Sequence, residues 1–468
     1  MNPPQSNHST ASWNSEDAER YLRSLELFGM RFGLDRMRRM MTALGSPERR
    51  FATIHVVGTN GKSSTTRMIA AILARHGLRT GTYTSPHLIS YTERVQVLEH
   101  DLREDAFAAA IARAAWAAEH VNHTLAGDDH VTQFELLTAA ALWAMAEQEV
   151  EVAVVEAGLG GRYDATSVID SRVTVVTNVG LEHTRWLGPT VRDIAEEKLA
   201  VLKPGTTLVL GDDLAGEALA VATRVAGERD ARIVRAAAEP PAARSLLAKG
   251  AFQRRNFALA EAAAEAYLRS TAIDPWDTAR HERAVREAAA DTEVQGRLQV
   301  VGEDPLTVLD GAHNPDASRA LVQALPALLG ERPVALVLGV LEDKDAAGML
   351  AALLGVCERA WFTAPPSSRA LSPAALQSLA RQLGFDAVAC EPQPWRALSE
   401  ARRWAAERGE DAAVLATGSV YLAGDLLSHL RGAADGVRVD APSADASPAD
   451  APSADAPPAH APSGRPAR

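Results

Sequence analysis

A chain of 468 residues, 47% hydrophobic and 23% charged, is long enough to bury more than one core, so two domains are expected. Its net charge of −12 excludes a general affinity for nucleic acid, although a local pocket for anions can still be built from particular residues. Cys357 and Cys390 are too few for a disulfide framework or a thiolate cluster, so any metal must take oxygen or imidazole ligands.

The opening MNPPQSNHST lacks the basic flank and apolar run of a signal peptide, and no stretch of about eighteen uninterrupted apolar residues follows. Neither export nor membrane insertion is expected, and a cytoplasmic location is. Residues 1–15 read as a loose terminus. From residue 53 short β-branched runs alternate with longer Ala/Leu-rich stretches, the pattern of the α/β class with a parallel sheet covered by helices. Strands are predicted at Thr53–Val57, Thr80–Thr84, Val152–Glu156, Val173–Thr177 and Thr207–Leu210. Helices are predicted after Lys62, around Glu104–Leu125 and around Thr132–Glu147. With helices near Arg254–Ser270 and Trp276–Ala290 these make one parallel-sheet domain over residues 16–290. The charged, glycine-containing DTEVQG at Asp291–Gly296 then interrupts the pattern. Further strands at Leu306–Asp310, Val334–Gly339, Ala360–Thr363, Ala387–Cys390 and Ala412–Ala416 predict a smaller, Rossmann-like α/β domain over 297–432. In residues 433–468 DAPSAD occurs twice amid Ala, Pro and Ser, a composition that cannot bury enough apolar area to fold.

Chemistry concentrates first where the strand Thr53–Val57 runs into Gly58-Thr59-Asn60-Gly61-Lys62-Ser63-Ser64 and then into the helical TTRMIAAILARHG. A glycine loop at a helix N-terminus turns its amides toward an anion, the helix dipole adds partial positive charge, and Lys62 supplies a full one. Ser63 or Ser64 could reach a magnesium ion. The loop is P-loop-type but not the common P-loop, whose first glycine would stand at Val56. A bare glycine turn is the plainer alternative. Glu156 ends an apolar strand before Gly158, Gly160 and Gly161, which puts its carboxylate at the C-terminal edge of the sheet beside that loop. Hard oxygen ligands there suit magnesium. His183 follows a second strand end at Asn178; by itself, such an imidazole is more often a structural hydrogen-bonder. Lys198, in VRDIAEEKLAVL, reads by itself as a solvated or salt-bridged helix lysine. Arg297, just after the interruption, is either a surface salt-bridge partner or an arginine that reaches back toward phosphates. Asp310 ends a strand before Gly311-Ala312-His313-Asn314-Pro315, a tight turn into a helix, so a polar cluster is expected there.

GTNGK, the TSPHL of Thr84–Leu88, Glu93-Arg94, FELLTAAALW at Phe134–Trp143, VVEAGLGGRYDAT at Val154–Thr166, TNVGLEHTRWLG at Thr177–Gly188 and DGAHNP at Asp310–Pro315 occur in this order. Together they resemble the Mur ligase superfamily, specifically its folate branch, over about residues 20–430. The resemblance implies ATP held by Gly58, Thr59, Asn60, Gly61, Lys62, Ser63 and Ser64 together with Asn256, Arg297, Asp310 and His313. It implies magnesium ions (Mg2+) between the ATP phosphates and Ser64, Ser85, Glu156 and His183, with Lys198 as a carbamate orienting the second ion. Lys62, Glu156, His183 and Lys198 are the implied catalytic residues, and Lys344, Asp345 and Ser419 the implied glutamate side. The implied reaction joins glutamate to dihydropteroate or a reduced folate through an acyl phosphate, releasing ADP and phosphate, in a monomer with no nucleic-acid or membrane partner. Three places depart from the usual pattern: Leu199-Ala200-Val201 stands where Ala-Gly-Ile is common, Ser63 where many have glycine, and Ser167 where Asn is usual. Alternatives are a peptidoglycan-precursor ligase of the same superfamily, a nucleotide-binding regulator and a simple kinase. Only 57 residues precede Gly58, too few for the UDP-sugar domain of the first. Glu156, His183 and Lys198 together would be surplus to the second, and amide formation separates a ligase from the third.

Overall fold

The computed structural model describes residues 13–25, 33–214, 216–242, 244–271, 276–409 and 412–434. Eight strands form the first sheet: β1 (Ala52–Val57), β2 (Thr80–Tyr83), β3 (Val95–Val97), β4 (His100–Asp101), β5 (Val152–Glu156), β6 (Ser171–Val176), β7 (Thr207–Leu210) and β8 (Arg232–Arg235). Their order is β4-β3-β2-β5-β1-β6-β7-β8, parallel from β2 to β8, with the short β3 and β4 antiparallel at one edge. The expected parallel sheet is present, but the edge hairpin was not expected. His100 and Asp101 are exposed and carry no apolar pattern for a sequence reading to find.

β1 lies at the centre between β5 and β6, and from Thr53 to Val57 it is wholly buried. Both faces are covered, which is why these strands read as continuous apolar runs rather than as alternation. On one face Ile54, Val56, Val154 and Val175 pack against Ile69 and Ile72 of the helix Lys62–Arg75 and Phe257 and Leu259 of the helix Ala251–Ser270. The helices Glu104–Asn122 and Gln133–Glu147 cover Tyr83, Ala153 and Val155. Thr132 and Glu135 close a capping box at the start of Gln133–Glu147, and Thr190 and Asp193 do the same for Val191–Leu199. The chain leaves β1 toward β2 on one side, while β5 is followed by β6 on the other. The crevice at this reversal, outside the carboxyl ends of β1, β5 and β6, is where α/β sheets place ligands.

The second sheet, β9 (Gln299–Glu303), β10 (Leu306–Leu309), β11 (Val334–Leu338), β12 (Arg359–Phe362), β13 (Val388–Cys390) and β14 (Ala413–Thr417), has the order β13-β12-β11-β14-β10-β9. Its strands are parallel except β9, which pairs antiparallel with β10 and was not foreseen. Between the sheets the helix Thr278–Asp291 ends where DTEVQG begins. The loose terminus expected at residues 1–12 and the unfolded tail expected beyond 434 lie outside the described residues. Within 1–15, Asn14 caps the helix Ser15–Ser24 through a capping box with Asp17. Among the described residues no helix is long and apolar enough to cross a membrane.

Candidate active site

The loop after β1 is strapped to the loop after β6. Thr59 N donates to Asn178 O at 3.0 Å, Asn60 N to Asn178 Oδ1 at 2.9 Å, and Thr177 Oγ1 to Asn60 O at 2.6 Å. Glycine is required twice. At Gly58 (φ +152°) a Cβ would fall on Thr177 Oγ1, and at Gly61 (φ +82°) it would lie 2.5 Å from Asn256 Oδ1. Gly61 opens the helix Lys62–Arg75, and Lys62 folds back so that its Nζ donates to Thr59 O at 3.1 Å. The expected strand, glycine loop and helix N-terminus are present, with Lys62 over the loop.

Glu156 emerges from β5 next to this loop, its carboxylate accepting from Ser85 N at 3.2 Å. Burial pushes it above the usual carboxylate range, against the opposing pull of Lys62, the Ser63 hydroxyl, Ser85 N–H and Arg297. Lys198 is 4% exposed, and its Nζ donates to Gly58 O at 2.6 Å. Neither a solvated face nor a salt bridge surrounds it. Burial, reinforced by Lys62, lowers its ammonium from 10.5 to about 7, despite Glu182 and Asp164. His183 holds a left-handed backbone (φ +52°), which costs a residue with a Cβ about 1–2 kcal/mol. Burial first, then Lys344 and Lys62, lower its imidazole to about 4, leaving a neutral ring suited to ligation.

The second domain completes the cleft. Asp310, at the end of β10, accepts Leu298 N at 2.8 Å and Ala312 N at 2.7 Å; burial raises its carboxyl while Arg297 opposes this. Arg297 lies so close over Gly311 that a Cβ there would meet its Nη1 at 2.0 Å. His313 Nδ1 contacts Gly311 O at 2.9 Å. Asn314, which caps the helix Pro315–Leu329, pairs with Asn60 of the phosphate loop, Nδ2 donating to Oδ1 at 2.9 Å. One oxygen of Glu182, in the loop after β6, receives Lys344 Nζ at 3.1 Å, His313 Nε2 at 3.4 Å and His183 Nε2 at 3.6 Å. Burial opposes ionisation of Glu182, but His313, Lys344 and Lys62 outweigh it and hold the carboxyl well below its usual range.

One cavity of about 630 Å³ is lined by all the residues assigned above to phosphate, metal or nucleotide: Gly58 to Ser64, Ser85, Glu156, His183, Lys198, Asn256, Arg297, Asp310 and His313. Lys344 and Ser419 line it as well. Asp345 does not; its carboxylate caps the helix Ala346–Leu353, accepting from Gly348 N at 2.8 Å. Sequence reasoning passed over Thr177, Glu182 and Asn314, which tie the loops together. Glu182 stood beside His183 with no pattern to separate it from an ordinary loop carboxylate. Among the described residues no three His, Cys, Asp or Glu side chains converge as a ready-made metal site. Glu156, the serines and neutral His183 offer oxygen and imidazole donors, which suit an ion that also takes phosphate oxygens rather than one bound by protein alone.

Residues 56–239 match the Mur ligase middle domain, and residues 296–420 match the Mur ligase glutamate ligase domain. The dihydrofolate synthase/folylpolyglutamate synthase of Escherichia coli strain K12 is 34% identical over 406 residues, 84% of this chain and 90% of that protein. The folylpolyglutamate synthase of Mycobacterium tuberculosis, solved in complex with ADP, superposes with a TM-score of 0.82 at 30% identity, over 89% of this chain and 98% of that one. The Yersinia pestis bifunctional folylpolyglutamate synthase/dihydrofolate synthase, solved with AMPPNP and a manganese ion, superposes with a TM-score of 0.74 at 27% identity, covering 92% of this chain and 100% of that one. The chain belongs to the Mur ligase family, in its branch of dihydrofolate synthases and folylpolyglutamate synthases.

Proposed function

We propose that this chain joins L-glutamate to a folate-type carboxylate, dihydropteroate or a reduced folate, at the expense of ATP, as a cytoplasmic monomer. One observation carries the reading: Lys62, Glu156, His183 and Lys198 of the first domain face Arg297, His313 and Lys344 of the second across a single cavity. Such a layout suits three anionic reactants that must meet. The acceptor carboxylate attacks the ATP γ-phosphorus, a bond forms from carboxylate oxygen to phosphorus, and the bond to the ADP oxygen breaks. Glutamate's amine then attacks the acyl carbon; the amide C–N bond forms, phosphate leaves with the carboxylate oxygen, and the amine loses its proton. A carboxylate alone would have to expel oxide, whereas phosphate leaves readily.

The protein's work is positioning and charge neutralisation. Lys62 and the amides of the Gly58–Lys62 loop screen the triphosphate from the incoming carboxylate. Arg297, reaching from beside Gly311, adds a second cation only when the domains face each other. Ser64, Ser85, Glu156 and His183 would hold magnesium, which would supply further neutralisation of the phosphate oxygens. Lys198, poised near neutrality, has the free amine that carbon dioxide requires for carbamate formation, which turns a buried cation into an anionic ligand. Closure of the second domain shields the acyl phosphate from water. The test is purified protein with ATP, labelled glutamate and each acceptor in turn. Labelled amide with one ADP per bond is expected; ADP formation without amide would overturn the reading.

A further inference from the structure

Glu182 lies outside the set of nucleotide and metal residues, yet Lys344 and His313 of the second domain both meet one of its oxygens. Lys344 Nζ and Glu182 Oε1 are 3.1 Å apart, with both side chains only 11% exposed, and His313 approaches the same oxygen at 3.4 Å. Lys344 follows β11 and His313 follows β10, whereas Glu182 follows β6 of the first domain beside His183. Two side chains of the second domain, the Lys344 ammonium and the His313 imidazole, thus end on one carboxylate of the first. A buried charge pair makes a poor general adhesive, because desolvation offsets its attraction, but it fixes geometry well, since any other arrangement leaves a buried charge unpaired.

We propose that Glu182 is a positioning residue: it seats Lys344 and His313 of the second domain against the His183 side of the first, and so sets where incoming glutamate is held relative to the acyl phosphate. The inference rests on the ligase reading for what Lys344 serves. The reciprocal amide pair Asn60–Asn314 lies alongside, at 2.9 and 3.4 Å, and hydrogen-bonds without charge; by itself it cannot orient an ammonium group. Asp343 is the other carboxylate near Lys344, but at 3.7 Å and 39% exposed it is a weak substitute.

Glu182→Gln keeps the shape and removes the charge. It should raise the KM for glutamate about tenfold or more, well beyond any loss of nucleotide affinity that follows from unseating His313. In a double-mutant cycle, Glu182→Gln placed on Lys344→Met should add less than about a twofold further loss, because the residue acts through Lys344. An unmoved KM, a parallel fall in nucleotide affinity, or an undiminished further loss on the Lys344→Met background would overturn the proposal. Hydrogen exchange of the nucleotide-free chain needs no turnover and so fails independently of the ligase reading. Faster exchange across residues 311–316 and 341–345 in Glu182→Gln supports the seating role; unchanged exchange refutes it. Should Glu182→Gln not fold, Glu182→Asp, which keeps the charge but withdraws it by a methylene, is expected to show intermediate shifts in both readouts, and normal values would refute the role.

Discussion

Lys198→Met removes a group that the fold tolerates badly, and its effect on stability can be worked out. The ammonium titrates at 10.5 in the open chain and at about 7 once buried, so the folded state binds fewer protons than the unfolded state between those values. Stability of the unaltered protein therefore rises with pH through that window, and the deficit is fully present below pH 7. At about 1.36 kcal/mol per pH unit the deficit is roughly 5 kcal/mol at pH 6 and about 2 kcal/mol at pH 9. Against this, methionine abandons the hydrogen bond to Gly58 O, which costs about 1–3 kcal/mol. Lys198→Met should thus be more stable by about 3 kcal/mol at pH 6, equivalent to roughly 6–12 °C in melting temperature, and close to neutral at pH 9. The assay is thermal and urea unfolding across pH, in metal-free and bicarbonate-free buffer so that the amine stays unmodified, with turnover measured in parallel. Turnover should be lost while stability rises, as expected where a site is strained for function. A variant less stable at pH 6, or a difference independent of pH, would show that the buried Lys198 ammonium does not carry this cost.

Lys62→Ala should fold normally and lose turnover, since Lys62 lies over the phosphate loop rather than in a core; circular dichroism and amide formation check both parts. Gly61→Ala places a Cβ at φ +82° against Asn256 and should lower folded stability by about 1–2 kcal/mol, read by urea unfolding. His55 is fully buried, and because Thr166 Oγ1 donates to Asp164, His55 must donate from Nε2, which leaves Nδ1 without a partner. Burial, aided by Lys203, lowers the ring from 6.5 to about 3, so folded stability falls as pH drops through that window. His55→Gln should flatten the acid limb by about 1.4 kcal/mol per pH unit, and an unchanged slope in urea titrations would count against the assignment.

How much was legible in the sequence depended on whether a residue's environment is set locally. The β1 strand, glycine loop and helix declared themselves because strand burial, positive φ at Gly61 and a helix N-terminus all follow from neighbours in the chain. Asp310 and its turn were visible for the same reason. Lys198 was marked only by the family resemblance, because VRDIAEEKLAVL by itself reads as an ordinary amphipathic turn; the packing of that helix against the loop after β1 turns the lysine inward onto Gly58. Glu182 escaped notice because its partners Lys344 and His313 stand more than a hundred residues away. Asp345 was placed at the glutamate side by resemblance, yet its local capping role claims the carboxylate. The edge strands β3, β4 and β9 were missed because they carry too few buried apolar residues to register as strands.

Ligation through an acyl phosphate passes one acceptor carboxylate oxygen to inorganic phosphate. With the acceptor carboxylate labelled with oxygen-18, each amide formed from ATP and glutamate should yield one inorganic phosphate carrying a single labelled oxygen, read by mass spectrometry. Amide formation with unlabelled phosphate, or labelled oxygen released only as water, would contradict it.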